Sequence, residues 1–146
     1  MKYNNYFKMT IPALSRNEGF ARAVVSAFVA QLDPLVGQLA DIKAAVSEAV
    51  TNCIVHAYSD EEAGKINITA KLCEDTIYIK IKDSGCGIED IKKAMEPLYT
   101  TKPEEERSGL GFAVMESCCD KIRVISKKGK GTTVTLVFNI EKKAVV

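Results

Sequence analysis

Apolar and polar residues alternate strictly near the start of the chain. Between residues 5 and 13, Phe7, Met9 and Ile11 are separated by residues that are mostly polar. A period of two residues is typical of a β-strand with one buried face, because successive side chains point to opposite sides. The pattern therefore predicts a strand here, half buried and half exposed.

The same alternation returns later in the chain. The runs KINITAKLCE and TIYIKIKD are joined by the acidic pair Glu74 and Asp75, and two further alternating runs flank KKGKG. Alternating runs joined by a tight turn predict antiparallel hairpins. We expect one hairpin in the middle of the chain and another near its end.

Two helices are predicted between the first strand and these hairpins. Ser15 and Glu18 have the spacing of a capping box, which predicts a helix through RNEGFARAVVSAFVAQL that Asp33-Pro34 should end. A second helix should run from about residue 35 to 58, because apolar residues recur at helical intervals. Its apolar stripe comprises Leu39, Ile42, Val46, Val50 and Cys53.

The order of these elements indicates the fold class. Helices are grouped early and strands mostly late, apart from a short helix-like piece, EDIKKAM, and a helix predicted in GLGFAVMESCCD. This order favours an α+β sandwich with helices on one face of a mainly antiparallel sheet. A chain of 146 residues with 47% hydrophobic content can bury one sizeable core, so we expect residues 1–146 to form one domain.

Charge and hydropathy exclude several classes of function. The chain has 20 Lys and Arg against 19 Asp and Glu, so it lacks the broad positive charge of a protein that binds nucleic acid directly. Its first residues alternate polar and apolar, where a leader would show a charged end followed by an apolar stretch, so we expect no leader, and no apolar run is long enough to span a bilayer. We expect a soluble cytoplasmic protein that does not bind membranes.

The cysteines do not indicate a metal centre. There are five of them, an odd number, and the chain has one histidine. Their spacing includes no CxxC pair, so a Cys/His cage has too few ligands. Reduced thiols are the simplest interpretation, and the adjacent Cys118 and Cys119 are expected to act as small packing residues.

A polar column interrupts the apolar second helix. Glu48, Asn52 and His56 are four residues apart, hence offset by only about 40° around the axis, and Thr51 lies beside them. A carboxylate next to an amide oxygen suits Mg²⁺, or a carboxylate that orients a nucleophile while the amide holds the ion. Alternatively, these side chains cap loops or pair with neighbouring strands.

The motif KDSGCGI follows the second strand of the central hairpin. It places Asp83 at the strand end, and Gly85 and Gly87 allow a ligand to approach the main chain. An Asp can accept a hydrogen bond from the exocyclic amine of adenine, where guanine presents a carbonyl. A plain Asp-Gly turn after a strand is the alternative.

A third motif, TTKPEEERSGLGF, combines cations with glycines. Lys102 and Arg107 precede Gly109, Leu110 and Gly111, which lie at the predicted start of a helix. Free backbone N–H groups and the helix dipole at such a start favour phosphate oxygens. The motif is neither a P-loop nor a Rossmann fingerprint, and a mobile surface loop with a glycine turn is the alternative.

Taken in order, these motifs resemble a known superfamily. ExxxN on a helix, DxGxG after a strand, a basic loop ending in GxG and a late GTT resemble the Bergerat ATP-binding fold of gyrase, Hsp90, histidine kinases and MutL. Within it, EAVTNCIVHAY, PLYTTKPEEERSGLGF and RNEGFARAVVSAFV are most similar to the bacterial anti-sigma factor serine kinases, especially those that act on the sporulation sigma factor, sigma F. The resemblance covers most of the chain.

This resemblance implies roles for individual residues. Asn52 matches the asparagine that coordinates Mg²⁺ on the ATP phosphates, and Glu48 matches the catalytic carboxylate that acts on a serine hydroxyl. Asp83 matches the aspartate that selects adenine, and Gly85 and Gly87 give the backbone room beside it. Thr132 or Thr133 matches the threonine that supports this aspartate. The remaining matches lie in the nucleotide lid and the phosphate-binding turn: Thr101, Lys102, Arg107, Gly109, Leu110 and Gly111.

The resemblance also implies partners. Members are homodimers that bind ATP or ADP with Mg²⁺, bind a sigma factor, and use ATP to phosphorylate a serine of a small anti-anti-sigma protein. Arg22 is similar to a residue that contacts both partners, although an exposed helical arginine is usually just solvated. His56 is interpreted as a residue that supports the site from behind its ligand-binding side chains or simply packs, because the chain has no helical hairpin to present a phosphoacceptor histidine.

Two alternatives differ in function from a serine kinase that acts on the sporulation sigma factor. One is a general-stress anti-sigma kinase, with the same chemistry and another sigma factor. The other is a nucleotide-gated module that binds a sigma factor but transfers little phosphate. Glu48 favours a kinase, because simple ATP binding needs Asn52 and the glycines more than it needs a base.

Overall fold

A computed structural model of the chain describes residues 3–57, 64–88, 95 and 111–141. Within them the chain forms five strands and three α-helices. The strands are β1 (Asn5–Pro12), β2 (Lys65–Cys73), β3 (Thr76–Asp83), β4 (Lys121–Lys127) and β5 (Gly131–Asn139). The helices are α1 (Asn17–Ala30), α2 (Val36–Asn52) and α3 (Gly111–Cys118).

The five strands form one antiparallel sheet in the order β1-β2-β3-β5-β4. Both predicted hairpins are confirmed. The β2–β3 turn consists of Glu74 and Asp75, and Glu74 has a positive φ of 55°, a conformation common in two-residue hairpin turns. Ile66 lies opposite Asp83 and Cys73 lies opposite Thr76, so the hairpin register places Asp83 at the end of the sheet far from this turn.

One face of the sheet and the helices enclose the core. Alternate residues of β2, β3 and β5 are buried together with apolar residues of the three helices, as the period of two requires. The aromatic rings of Phe7 on β1 and Phe28 on α1 pack edge to face, with centroids 5.0 Å apart. The predicted fold class, helices on one face of an antiparallel sheet, is confirmed. None of the helices within the described residues is long and apolar enough to cross a membrane.

The predicted capping box at the start of α1 is wrong. Helix α1 begins at Asn17, and its N-cap residue Arg16 makes no capping hydrogen bond through its side chain. Backbone carbonyls take over instead: Leu14 accepts from the Asn17 N–H at 2.8 Å, and Ser15 accepts from the Glu18 N–H at 3.3 Å. The Glu18 carboxylate is therefore available to bind α2, where it accepts a hydrogen bond from the Ser47 hydroxyl.

The second helix differs from its prediction at its carboxyl end. Helix α2 stops at Asn52, and Cys53–Ala57 form a π-helical turn, a wider coil that is often found at functional sites. The Ala57 carbonyl accepts a hydrogen bond from the Cys86 N–H at 2.7 Å. This contact ties the end of the helix to the loop after β3. Tyr58, and EDIKKAM apart from Met95, lie outside the described residues.

Candidate functional site

Asp83 is buried at the end of β3, where a carboxylate is costly unless it is hydrogen-bonded. It is only 5% exposed. Its Oδ1 accepts hydrogen bonds from the backbone N–H groups of Gly85 at 3.0 Å and Thr132 at 3.2 Å. Its Oδ2 lies 3.5 Å from the Cys53 thiol sulfur, which donates to it. The main chain therefore holds one carboxylate oxygen, and the other faces α2.

Opposing effects set the pKa of this carboxyl. Burial raises the pKa of Asp83 above its usual value, while the hydrogen bonds from Gly85, Cys53 and Thr132 lower it and offset part of the rise. A buried carboxylate with a raised pKa at the end of a strand is a candidate for binding a ligand.

The two glycines after Asp83 allow close packing of the main chain. A Cβ on Gly85 would overlap the carbonyl oxygen of Ala57, so only glycine lets this loop contact the π-helical turn. Gly87 has a φ of 75°, and a Cβ there would overlap the Lys127 carbonyl oxygen. The glycines expected from the DxGxG motif are thus required by packing at both positions.

Further hydrogen bonds attach this loop to the β4–β5 turn. The Gly129 N–H donates to the Cys86 carbonyl at 2.6 Å, and the Ile88 N–H donates to the Ser126 hydroxyl at 2.7 Å. The Ser126 hydroxyl also donates to the Gly131 carbonyl at 3.1 Å. Ser126 was not predicted as a site residue. It belongs to no recognisable motif, and its contacts depend on the register between β4 and β5.

Thr132 and Thr133 lie on opposite faces of β5. Thr132 is buried, its N–H bonds to Asp83, and its hydroxyl oxygen lies 2.7 Å from that of Ser126. Thr133 pairs with Lys82 and Ile125 and is directed away from the core, because side chains alternate along a strand. The structure therefore places Thr132 beside Asp83 and does not bring Thr133 there.

The polar residues of α2 lie just before the π-helical turn. Glu48, Thr51 and Asn52 are all half-buried. Burial raises the pKa of the Cys118 thiol on α3, a hydrogen bond with Ser117 lowers it, and the negative charges of Asp41 and Glu48 raise it by smaller amounts. Glu48 is thus close enough to α3 to influence it electrostatically. The His56 side chain lies outside what the structure describes.

The remaining predicted site residues divide between α3, α1 and the undescribed part of the chain. Gly111 is buried and begins α3. Arg22 is exposed on α1 and forms an ion pair of 3.5 Å with Glu18. An exposed pair of this kind contributes little to stability. The lid and turn residues lie outside the described residues: Thr101, Lys102, Arg107, Gly109 and Leu110.

Comparison with known proteins identifies the family of this site. A model described as the histidine kinase-like ATPase domain matches residues 11–138. A Clostridium perfringens protein named anti-sigma F factor is 53% identical over 133 residues, which are 91% of this chain and 95% of the relative. The chain belongs to the anti-sigma F factor family, within the histidine kinase-like ATPases. The anti-sigma F factor of Caldanaerobacter subterraneus is likewise 53% identical, over 93% of this chain and 94% of the relative.

Solved structures share the fold at much lower identity. The RsbU and RsbW domains of a Mycobacterium tuberculosis protein superpose with a TM-score of 0.67 at 21% identity, covering 98% of this chain and 35% of that one. The catalytic domain of the histidine kinase ThkA gives a TM-score of 0.60 at 16% identity, covering 93% and 96% of the two chains. Both agree with the predicted Bergerat-type sandwich.

The half-buried polar residues of α2 offer oxygen atoms of the kind that Mg²⁺ binds. Among the described residues, no group of three or more His, Cys, Asp or Glu is arranged to hold an ion. Mg²⁺ retains waters readily and often binds through one or two protein oxygens together with substrate phosphates. The half-buried amide of Asn52, one turn from Glu48, provides an oxygen of the required kind.

The thiols of this region should differ sharply in reactivity. Cys86 is exposed, whereas Cys53 is buried. Burial, the charge of Asp83 and their hydrogen bond raise the pKa of Cys53 well above its usual value, and burial raises that of Cys119 to about 11. Because the thiolate is the nucleophile, iodoacetamide should label Cys86 first and Cys53 only after unfolding. Peptide mass spectrometry over time measures this order, and equal rates at Cys53 and Cys86 would contradict the described burial.

Proposed function

We propose that this chain is an ATP-dependent protein-serine kinase that also sequesters a sigma factor. Its sigma factor is the sporulation factor sigma F, and its substrate is a serine of a small anti-anti-sigma protein. Residues 1–146 form one cytoplasmic domain that acts as a homodimer and binds neither nucleic acid nor membrane. The names of the relatives, anti-sigma F factor, support this choice of partner.

The buried carboxylate of Asp83 is the observation that carries the proposal. Its Oδ1 is engaged by two backbone N–H groups, while Oδ2 faces the end of α2. A carboxylate oxygen accepts more than one hydrogen bond, so Oδ2 can also accept one from the exocyclic amine of adenine. The base would then lie beside the Gly85–Gly87 loop, close to the end of the helix that carries Asn52.

The residues of α2 act at the phosphate end of the nucleotide. Asn52 would hold Mg²⁺, which neutralises charge on the ATP phosphates when it is bound. Glu48, one turn earlier, orients the substrate serine hydroxyl and accepts its proton. Lys102 and Arg107 bind phosphate oxygens, and the backbone from Gly109 to Gly111 does the same at the start of α3. Positioning of this kind provides most of the catalysis in phosphoryl transfer.

The dimer proposal is supported by the sheet topology. β1 lies at one edge of the described sheet, with β2 as its neighbour. An unpaired strand edge presents backbone N–H and C=O groups to a second chain.

One assay distinguishes a kinase from a nucleotide-gated binding module. The purified protein is incubated with Mg²⁺, γ-labelled ATP and the anti-anti-sigma protein of the same organism, and the sigma factor is offered in a parallel reaction. Label on a serine of the small protein, together with inhibition of sigma-dependent transcription, supports the proposal. ATP binding and sigma inhibition without label transfer would favour the module. If the protein inhibits a general-stress sigma factor and not sigma F, a general-stress anti-sigma kinase would be favoured.

Replacing Asp83 by Asn should weaken ATP binding by about 10- to 100-fold, since a hydrogen bond to a charged group contributes about 1.5–3 kcal/mol. The amide directs an N–H donor toward the adenine amine, where an acceptor is needed. Because burial raises the folded-state pKa of Asp83, its ionisation costs folding free energy. This cost grows as the pH rises from the unfolded-state pKa to the folded-state pKa and is complete above it, and the neutral amide removes it. Calorimetric titration measures affinity, and thermal unfolding at pH 7 is the control. Unchanged ATP affinity in a folded Asp83→Asn protein would contradict the adenine role.

A further inference from the structure

The Cys53 thiol is directed at the carboxylate oxygen that would receive adenine. Cys53 is 4% exposed and is the first residue of the π-helical turn, immediately after Asn52. Its sulfur donates to Asp83 Oδ2 across 3.5 Å, while the backbone N–H groups of Gly85 and Thr132 occupy Oδ1. The two oxygens of Asp83 therefore have different partners: main chain on one side, a side chain of the helix on the other.

The direction of this hydrogen bond follows from its two partners. A carboxylate oxygen can only accept, so the Cys53 thiol donates to Asp83 Oδ2. A thiol is a weak donor, so it orients Oδ2 without removing that oxygen's capacity to accept a second hydrogen bond.

We infer that Cys53 is a positioning residue for adenine recognition, because its thiol holds Asp83 Oδ2 in the orientation that accepts the exocyclic amine of the base. The inference rests on the proposed function. Cys53 also connects the two ends of the proposed nucleotide site. It follows Asn52, the proposed Mg²⁺ ligand, in the chain, and its thiol contacts Asp83, the side chain proposed to bind adenine. A cysteine that only filled space would stabilise the fold without favouring one base over another.

The test compares two nucleotides that differ at one position. Purine riboside triphosphate lacks the 6-amino group of ATP, so it cannot donate to Asp83. Calorimetry would give the affinities of both nucleotides for the wild type, Cys53→Ala and Cys53→Ser. Cys73→Ala is the matched control, because Cys73 lies on β2 beside the turn, at the opposite end of the hairpin from Asp83.

The expected result is a selective loss. Cys53→Ala should bind ATP about three- to tenfold more weakly than the wild type, the range for one modest hydrogen bond, and should bind the 6-deamino nucleotide as the wild type does. Cys53→Ser retains a donor and should keep more ATP affinity than the alanine variant. The Cys73→Ala protein should match the wild type with both nucleotides.

Results that contradict the positioning role of Cys53 can be distinguished from results that contradict the proposed nucleotide site. If Cys53→Ala and Cys53→Ser weaken both nucleotides equally, or if neither affinity changes, the positioning role is wrong while the nucleotide site stands. If Cys53→Ala does not fold, Cys53→Val, which fills a similar volume without a donor, carries the test: its ATP affinity should fall relative to its affinity for the 6-deamino nucleotide, and an unchanged ratio of the two affinities would overturn the positioning role. Failure of the wild type to bind ATP would overturn the proposed function, and this inference with it.

Discussion

Replacing Glu48 by Gln is expected to leave ATP affinity within about threefold of the wild type and to slow phosphoryl transfer by about 100-fold or more, the range for a positioned general base. Gln has the same size and can still donate and accept hydrogen bonds, so the half-buried position on α2 should tolerate it. It cannot take up the proton of a serine hydroxyl. Single-turnover transfer to the anti-anti-sigma protein, combined with calorimetric titration of ATP, separates the two effects.

An exposed glutamate on α3 provides the matched control. Glu116 is exposed on α3, the helix whose Cys118 responds to the charge of Glu48. Glu116→Gln removes the same charge without altering the proposed base, so transfer should proceed at the wild-type rate. A Glu48→Gln protein that loses ATP binding and transfer to the same extent would assign Glu48 to nucleotide binding. Unaltered transfer would remove it from catalysis.

Replacing Gly85 by Ala is expected to lower the melting temperature by about 5–10 °C and to weaken ATP binding more than tenfold. The added Cβ would overlap the carbonyl carbon and oxygen of Ala57, which belong to the backbone and cannot rotate away. The loop must then move from the π-helical turn, breaking the hydrogen bond from the Cys86 N–H to that carbonyl. Asp83 and the end of α2 would separate, and both proposed ends of the nucleotide site would be misplaced.

Gly37 is the corresponding control for the same substitution. It lies in the first turn of α2, and a Cβ there would meet no atom within 4 Å. Because alanine is favoured over glycine in a helix, Gly37→Ala should be as stable as the wild type or slightly more stable. Thermal unfolding followed by circular dichroism measures both variants. A Gly85→Ala protein as stable as Gly37→Ala would show that the close approach to Ala57 is not required.

The sheet was predictable because its signals are local. Alternating side chains fixed the face of β1, and the acidic pair at Glu74 fixed the β2–β3 hairpin together with its register. The register in turn determines that Asp83 lies at the end of the sheet. The order of the predicted helices and strands along the chain was sufficient to predict the fold class.

Features that depend on contacts between distant segments were not predictable in this way. The capping box at Ser15 was contradicted because the Glu18 side chain binds Ser47 on another helix instead. The π-helical turn forms where Ala57 meets the loop containing Gly85. The hydrogen bonds of Cys53 and Ser126 form only when α2 and the β4–β5 hairpin pack around the loop after β3. The sequence pattern alone therefore assigns Cys53 to the apolar stripe of the second helix and gives no sign of its contact with Asp83.

The most direct test of the central claim is a crystal structure of the protein with Mg²⁺ and a non-hydrolysable ATP analogue. We expect the exocyclic amine of adenine within hydrogen-bonding distance of Asp83 Oδ2, and the side-chain oxygen of Asn52 in the coordination shell of the ion. A nucleotide bound elsewhere, or an adenine whose amine does not meet Asp83, would contradict the account.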